Sequence, residues 1–166
     1  MTKAFGRFLL SLFGWSVDEN IPPESQRSVM IAAPHTTNWD FILTRLAFYV
    51  LGIPVKIAIK DFWTKFPFGL LTVPFGGLGI DRSKKDPNNP RPSQIQQMAN
   101  FFDEYDKIAM VVAPEGTREL RKQWKMGFYH TAMKAEVPLC FGYLDYEKKE
   151  AGIGGMLVPT GDIEAD

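Results

Sequence analysis

One cysteine, two histidines and no surplus of either charge are what this 166-residue chain has least of, and each scarcity excludes something. A lone thiol, Cys140, rules out an intrachain disulfide framework, and its place in the apolar stretch 137–141 suits a buried thiol in a reducing, cytoplasmic compartment. Nineteen basic side chains are balanced by nineteen acidic ones, so the chain lacks the positive excess with which nucleic-acid binders attract phosphate backbones. Nucleic acid is therefore not an expected partner. His35 and His130 are the only imidazoles and no cysteine cluster accompanies them, so neither a metal nor another cofactor is expected. Long apolar runs are missing too. The run over 41–59 is broken by Arg45, Gly52, Pro54 and Lys56, and the run near the start of the chain is too short to span a bilayer. Trp15, Asp18 and Glu19 follow it without the small-residue cleavage site of a signal peptide.

What the chain does have is aromatic residues, 13% of the total with thirteen Phe. Phe5, Phe8, Leu9, Leu12 and Phe13 recur at helical spacing, with Arg7, Ser11 and Gly14 on the opposite side, which predicts an amphipathic helix within residues 1–15. Two roles are open to it: packing on its own domain, or lying in a membrane surface with Trp15 near the headgroups. Beyond the polar break at 21–27, short apolar runs predict strands over 28–33, 55–60, 108–113, 139–144 and 156–158. Helical patterns predict helices over 41–51, 95–105 with Ser93 as N-cap, and 124–135. Residues 61–79, rich in Phe, Gly and Pro without a clear period, read as an irregular apolar surface segment able to contact lipid, and 84–92 as a polar loop. Strands alternating with helices predict an α/β fold: a single layered domain over 1–166, with a largely parallel central sheet flanked by helices.

The strings that could carry chemistry fall where strands are expected to end. Pro34-His35-Thr36-Thr37-Asn38-Trp39-Asp40 lies between a strand and a helix. Residues five apart on a helix lie about 140° apart around its axis, so His35 and Asp40 can meet only if His35 sits in the preceding turn. The N-cap types Thr36, Thr37 and Asn38 permit that. A carboxylate bonded to one ring nitrogen fixes the tautomer and raises the basicity of the other, as an alcohol-activating base requires. A turn histidine without a catalytic role would leave the same local pattern. After the strand over 108–113 comes Pro114-Glu115-Gly116-Thr117-Arg118, where Gly116 allows close backbone approach, Thr117 offers a hydroxyl and Arg118 can hold a phosphate or carboxylate by paired hydrogen bonds. An exposed ion pair in a turn is the plain alternative. Gly76-Gly77-Leu78-Gly79-Ile80-Asp81-Arg82 sets Arg82 after a glycine-rich apolar segment, and a solvated loop arginine is its plain alternative.

In this order the strings resemble those of the glycerolipid acyltransferases typified by 1-acylglycerol-3-phosphate acyltransferase, and the resemblance covers most of the chain. His35 to Asp40 is similar to the family's first motif, which implies His35 as general base and Asp40 as its orienting partner. Gly76 to Arg82 looks like the second motif and Glu115, Gly116, Thr117 and Arg118 match the third; both imply a site for the acceptor's phosphate. Val137, Pro138 and Leu139 resemble the fourth, and Lys60 resembles a family lysine near the same phosphate. Gly79 departs from the aromatic or Pro of many members, and Glu119 from the common Ser. The resemblance implies an enzyme of phospholipid biosynthesis, peripheral on the inner face of the membrane. It would move a fatty acyl group from acyl-CoA or acyl carrier protein to the hydroxyl of a lysophospholipid, 1-acylglycerol-3-phosphate foremost. With Cys140 expected to be buried and no Gly-x-Ser-x-Gly elbow present, transfer would be direct, without an acyl-enzyme. Two rivals use the same residues: a thioester or lipid hydrolase with the same His-Asp pair, and a non-catalytic module that holds anionic lipids.

Overall fold

In the computed structural model, which describes residues 3–33, 37–83, 92–116 and 123–166, a first helix, Lys3–Leu12 (α1), leads into a short strand, Ser16–Val17 (β1). There follow β2 (Arg27–Ala32), α2 (Asn38–Leu51), β3 (Val55–Lys60), α3 (Gly69–Thr72), β4 (Gly77–Ile80), α4 (Gln94–Glu104), β5 (Ile108–Val112), α5 (Gly127–Ala135), β6 (Leu139–Asp145) and β7 (Glu150–Leu157). Among the described residues the seven strands form one sheet in the order β1-β7-β6-β2-β5-β3-β4, parallel throughout except between β6 and β7. This is the α/β class that the alternation of elements predicts.

A strand covered on both faces needs apolar side chains at successive positions. In β2, Val29 and Ile31 join the cluster made with Phe102 of α4 and Phe128, Tyr129 and Ala132 of α5, while Met30 joins Phe48 and Leu51 of α2 on the opposite face. Ile108 and Met110 of β5 face one way and Ala109 the other. Val29, Met30, Ile108 and Met110 are fully buried, and burial of a side chain of this size contributes about 1.5–3 kcal/mol. Local signals set the helix ends. Thr37 caps α2, Gly52 closes it with φ 72°, and the Ser93 hydroxyl accepts from the Gln96 N–H at 3.1 Å at the start of α4.

Of the two roles open to the N-terminal helix, packing on its own domain is filled. α1 lies on α2 through Gly6 and Leu10, and a Cβ on Gly6 would stand 3.1 Å from Val50 Cγ2. Trp15 is not at the surface where a headgroup contact would put it. It is buried with Leu10, Leu43, Ala47, Val50 and Ala151, because Gly14, at φ 75°, turns the chain back onto the domain. Phe8, Leu12 and Phe13 stay exposed.

Three strands correct the sequence expectations, the first being β1, a two-residue strand that no apolar run announces and that pairs with β7. β7 spans Glu150–Leu157 rather than 156–158, since Gly152, Gly154 and Gly155 dilute the apolar signal while the backbone still pairs antiparallel with β6. β4 lies inside the segment expected to be irregular, pairing with β3. Most of the rest of that segment is exposed, with the rings of Phe62, Trp63 and Phe68 packed against one another edge-on or tilted.

Candidate active site

Because β2, β3, β4 and β5 run parallel, their carboxyl ends open on the same edge of the sheet, the edge at which α/β folds gather ligands. Each candidate string follows one of those ends. The string from His35 to Asp40 comes after β2, Lys60 ends β3, Arg82 follows β4 and Glu115 follows β5. The order β2-β5-β3-β4 sets the Glu115 string beside the His35 string. At about 4.8 Å per strand, the end of β4 lies roughly 14 Å from that of β2. His35, Thr117, Arg118 and Glu119 lie outside the described residues.

Asp40 is the anchored member of the set. It occupies the third position of α2 and is buried, with 7% exposure. The Thr37 N–H donates to Oδ2 at 2.8 Å and the Thr37 hydroxyl donates to Oδ1 at 3.0 Å, while the Asp40 N–H donates back to that hydroxyl at 3.4 Å, completing a capping box. Tyr146, from the turn between β6 and β7, donates its hydroxyl to Oδ1 at 2.5 Å. A negative charge there is further favoured by the helix N-terminus. The carboxylate stands in the wall of a cavity of about 320 Å³ between α2 and the strand ends, lined by Ala33, Phe41, Thr44, Phe48, Val55, Ile57, Val111 and Gly142 among others. Arg45 shares that wall. Its guanidinium donates to the Val55 carbonyl at 3.1 Å, and burial lowers its pKa from the ordinary arginine value.

A model of the acyltransferase family matches residues 16–141, a span that runs from β1 into β6 and takes in the carboxyl ends of β2, β3, β4 and β5. The chain belongs to the acyltransferase family. Among solved structures it resembles the 1-acyl-sn-glycerophosphate (LPA) acyltransferase PlsC from Thermotoga maritima, with 15% identity and a TM-score of 0.57 over 96% of this chain and 68% of that one. At that identity the likeness is one of fold. No curated protein sequence matches the chain significantly.

For an acyltransferase the remaining candidates divide into those at the cavity and those beside it. Asp40 lines the cavity, whereas Lys60, Arg82 and Glu115 do not. Lys60 is exposed at the end of β3, and Arg82 is exposed with its guanidinium donating to the Ala58 carbonyl at 3.2 Å. Glu115 is buried. Gly116 holds φ 63°, and a Cβ there would meet Lys125 Nζ at 2.8 Å, so the glycine makes room for that ammonium. Neither Lys125 nor Tyr146 belongs to a string singled out in the sequence, since nothing local relates them to a site. Cys140 is fully buried in β6, and that burial pushes its thiol pKa up, away from the thiolate a nucleophile needs. Among the described residues no group of three or more His, Cys, Asp or Glu is placed to hold a metal.

Proposed function

We propose that this acyltransferase transfers a fatty acyl group from an acyl thioester, of CoA or of acyl carrier protein, to the free hydroxyl of a lysophospholipid, 1-acylglycerol-3-phosphate foremost. The observation that carries this reading is Asp40: a buried carboxylate, anchored at a helix start five residues after His35, in the wall of a largely apolar cavity. His35 takes the proton of the acceptor hydroxyl as that oxygen attacks the thioester carbonyl. A C–O bond forms, the C–S bond breaks, and the departing sulfur receives the proton from the imidazolium. Asp40 orients the imidazole and stabilises its charged form. Arg82, Arg118 and Lys60, with the Glu115-Gly116-Thr117 turn, hold the acceptor's phosphate. The test is mass spectrometry of products after the purified chain is offered palmitoyl-CoA with a panel of lysolipids. Acyl transfer that requires a lysolipid supports the reading, and release of free fatty acid whether or not an acceptor is present overturns it.

The cavity suits the acyl chain, which makes its size a determinant of donor preference. Thr44 lies one helical turn beyond Asp40 and faces the cavity. Thr44→Phe should cut turnover of palmitoyl-CoA relative to hexanoyl-CoA about tenfold, because excluding two methylenes from apolar surroundings costs about 1.6 kcal/mol. Equal losses for both donors would place the chain elsewhere.

A peripheral position on the inner face of the membrane fits the exposed apolar surface of α1 and its neighbours, where Phe13 and Trp39 lie 6.3 Å apart. No helix of the described residues is long and apolar enough to cross a bilayer. Removing residues 1–15 outright would also take Leu10 and Trp15 out of the core. Replacing Phe8, Leu12 and Phe13 together by Ser separates the two roles. At about 1 kcal/mol for each partly inserted side chain, vesicle sedimentation should weaken roughly a hundredfold while thermal unfolding stays near wild type. Unchanged sedimentation would remove α1 from the membrane contact.

A further inference from the structure

Asp40 has a partner from far along the chain that no motif announces. The Tyr146 hydroxyl reaches Asp40 Oδ1 across 106 positions of sequence. Its ring stands edge-on to Trp15, with centroids 5.1 Å apart and planes at 90°. Trp15 is in turn buried among Leu10, Ala47 and Ala151. Thr37 and Tyr146 therefore differ in kind as partners of Asp40. Thr37 belongs to the same helix start as the carboxylate and moves with it, whereas Tyr146 comes from the β6–β7 turn and ties the carboxylate to the sheet. The bond is short, it ends on a charged acceptor, and it is of the class that confers both strength and direction. Burial, and next the bond to Asp40, raise the phenol's pKa, so the hydroxyl remains a donor at neutral pH.

We propose that Tyr146 is a positioning residue for acyl transfer: braced by Trp15, its hydroxyl holds the Asp40 carboxylate in the one orientation that serves the general base. This rests on the reading of Asp40 as the orienting partner of His35. Tyr146 is about half exposed, at 52%, so it is not required to fill the core. A contribution through Asp40 should be visible in catalysis and absent from substrate binding and from stability.

The experiment uses the full chain with palmitoyl-CoA and lysophosphatidate as substrates. Tyr146→Phe deletes the hydroxyl and keeps the ring against Trp15. It should lower kcat about tenfold, less than the roughly hundredfold that a full 1 Å misplacement can cost, with KM for either substrate changed less than about twofold and thermal unfolding little altered. In an Asp40→Asn background the same substitution should add less than about a twofold further loss, because the orientation it maintains no longer matters. A Tyr146→Phe enzyme with wild-type kcat overturns the proposal. So does a loss of the same size in both backgrounds, since the hydroxyl would then act without Asp40. If Asp40→Asn alone keeps the wild-type rate, the His35–Asp40 reading itself fails and takes the proposal with it. That outcome is separable, because it appears before Tyr146 is touched.

Discussion

His35→Ala should lower acyl transfer at least a hundredfold and leave the protein folded. General-base help typically contributes a hundredfold to ten-thousandfold in rate, roughly 3–5 kcal/mol of barrier at 1.36 kcal/mol per decade. A thioester is already activated, so the acceptor hydroxyl is the weak reactant, and withdrawing its proton is the help the reaction most needs. The fold should tolerate the change because Thr37 and Asp40 between them form the capping box that starts α2. Product formation from an acyl thioester and lysophosphatidate, with thermal unfolding followed on the same samples, checks both halves. A well-folded His35→Ala enzyme that keeps more than about a tenth of the wild-type rate would sink the mechanism, since so small a loss lies below the range for a general base.

Asp40 should behave differently, because it carries a structural duty as well as a chemical one. Asp40→Ala removes the acceptor of the Thr37 N–H, of the Thr37 hydroxyl and of the Tyr146 hydroxyl, and it deletes half of the capping box. Loss of a cap alone costs about 1 kcal/mol, and donors to a carboxylate left without an acceptor at a buried position add about 1–3 kcal/mol. A drop of at least about 2 kcal/mol in unfolding free energy is expected, together with a large loss of activity. Asp40→Asn separates the two duties. Its carbonyl oxygen can still accept from the Thr37 N–H, and its NH2 group can donate to the two hydroxyls, each of which rotates to accept. Stability should fall by about 1 kcal/mol or less. Transfer should still fall about tenfold or more, yet less than in His35→Ala, because the charge that stabilises an imidazolium is gone. Denaturant unfolding and steady-state rates on the two variants decide the matter. If Asn matched wild type in rate, Asp40 would be a cap and nothing more.

Much of this was open to a reading of local pattern. Thr37 before Trp39 and Asp40, Ser93 before Gln96, and Gly52 followed by Pro54 mark helix ends through hydrogen bonds and dihedral preferences that act over a few residues. The continuous apolar stretches of β2 and β5 signal strands covered on both faces. β7 escaped because its glycines carry no side chain to mark a period, and its pairing depends on β6 rather than on its own residues. β4, four residues long between aromatic surface segments, left too short a pattern to separate from its surroundings. The place of Trp15 stayed open for a related reason: an amphipathic period shows that a helix has an apolar side, and it does not tell which part of that side meets protein and which meets solvent.

Legible in the residues alone were the α/β class, the longer helices to within about three residues at their starts, and the family-like succession of His35, Asp40, Lys60, Arg82, Glu115 and Gly116 after expected strands. All of these follow from side-chain type and spacing over short stretches. What stands beside them follows from long-range pairing and packing. The sheet order β2-β5-β3-β4 puts the Glu115 string next to the first string. The turn after β6 carries Tyr146 to Asp40, and the chain reversal at Gly14 buries Trp15 behind it. Lys125 fills the space that Gly116 leaves. Such neighbours are set by how strands pair and helices pack across the whole chain, and no spacing within one segment encodes them.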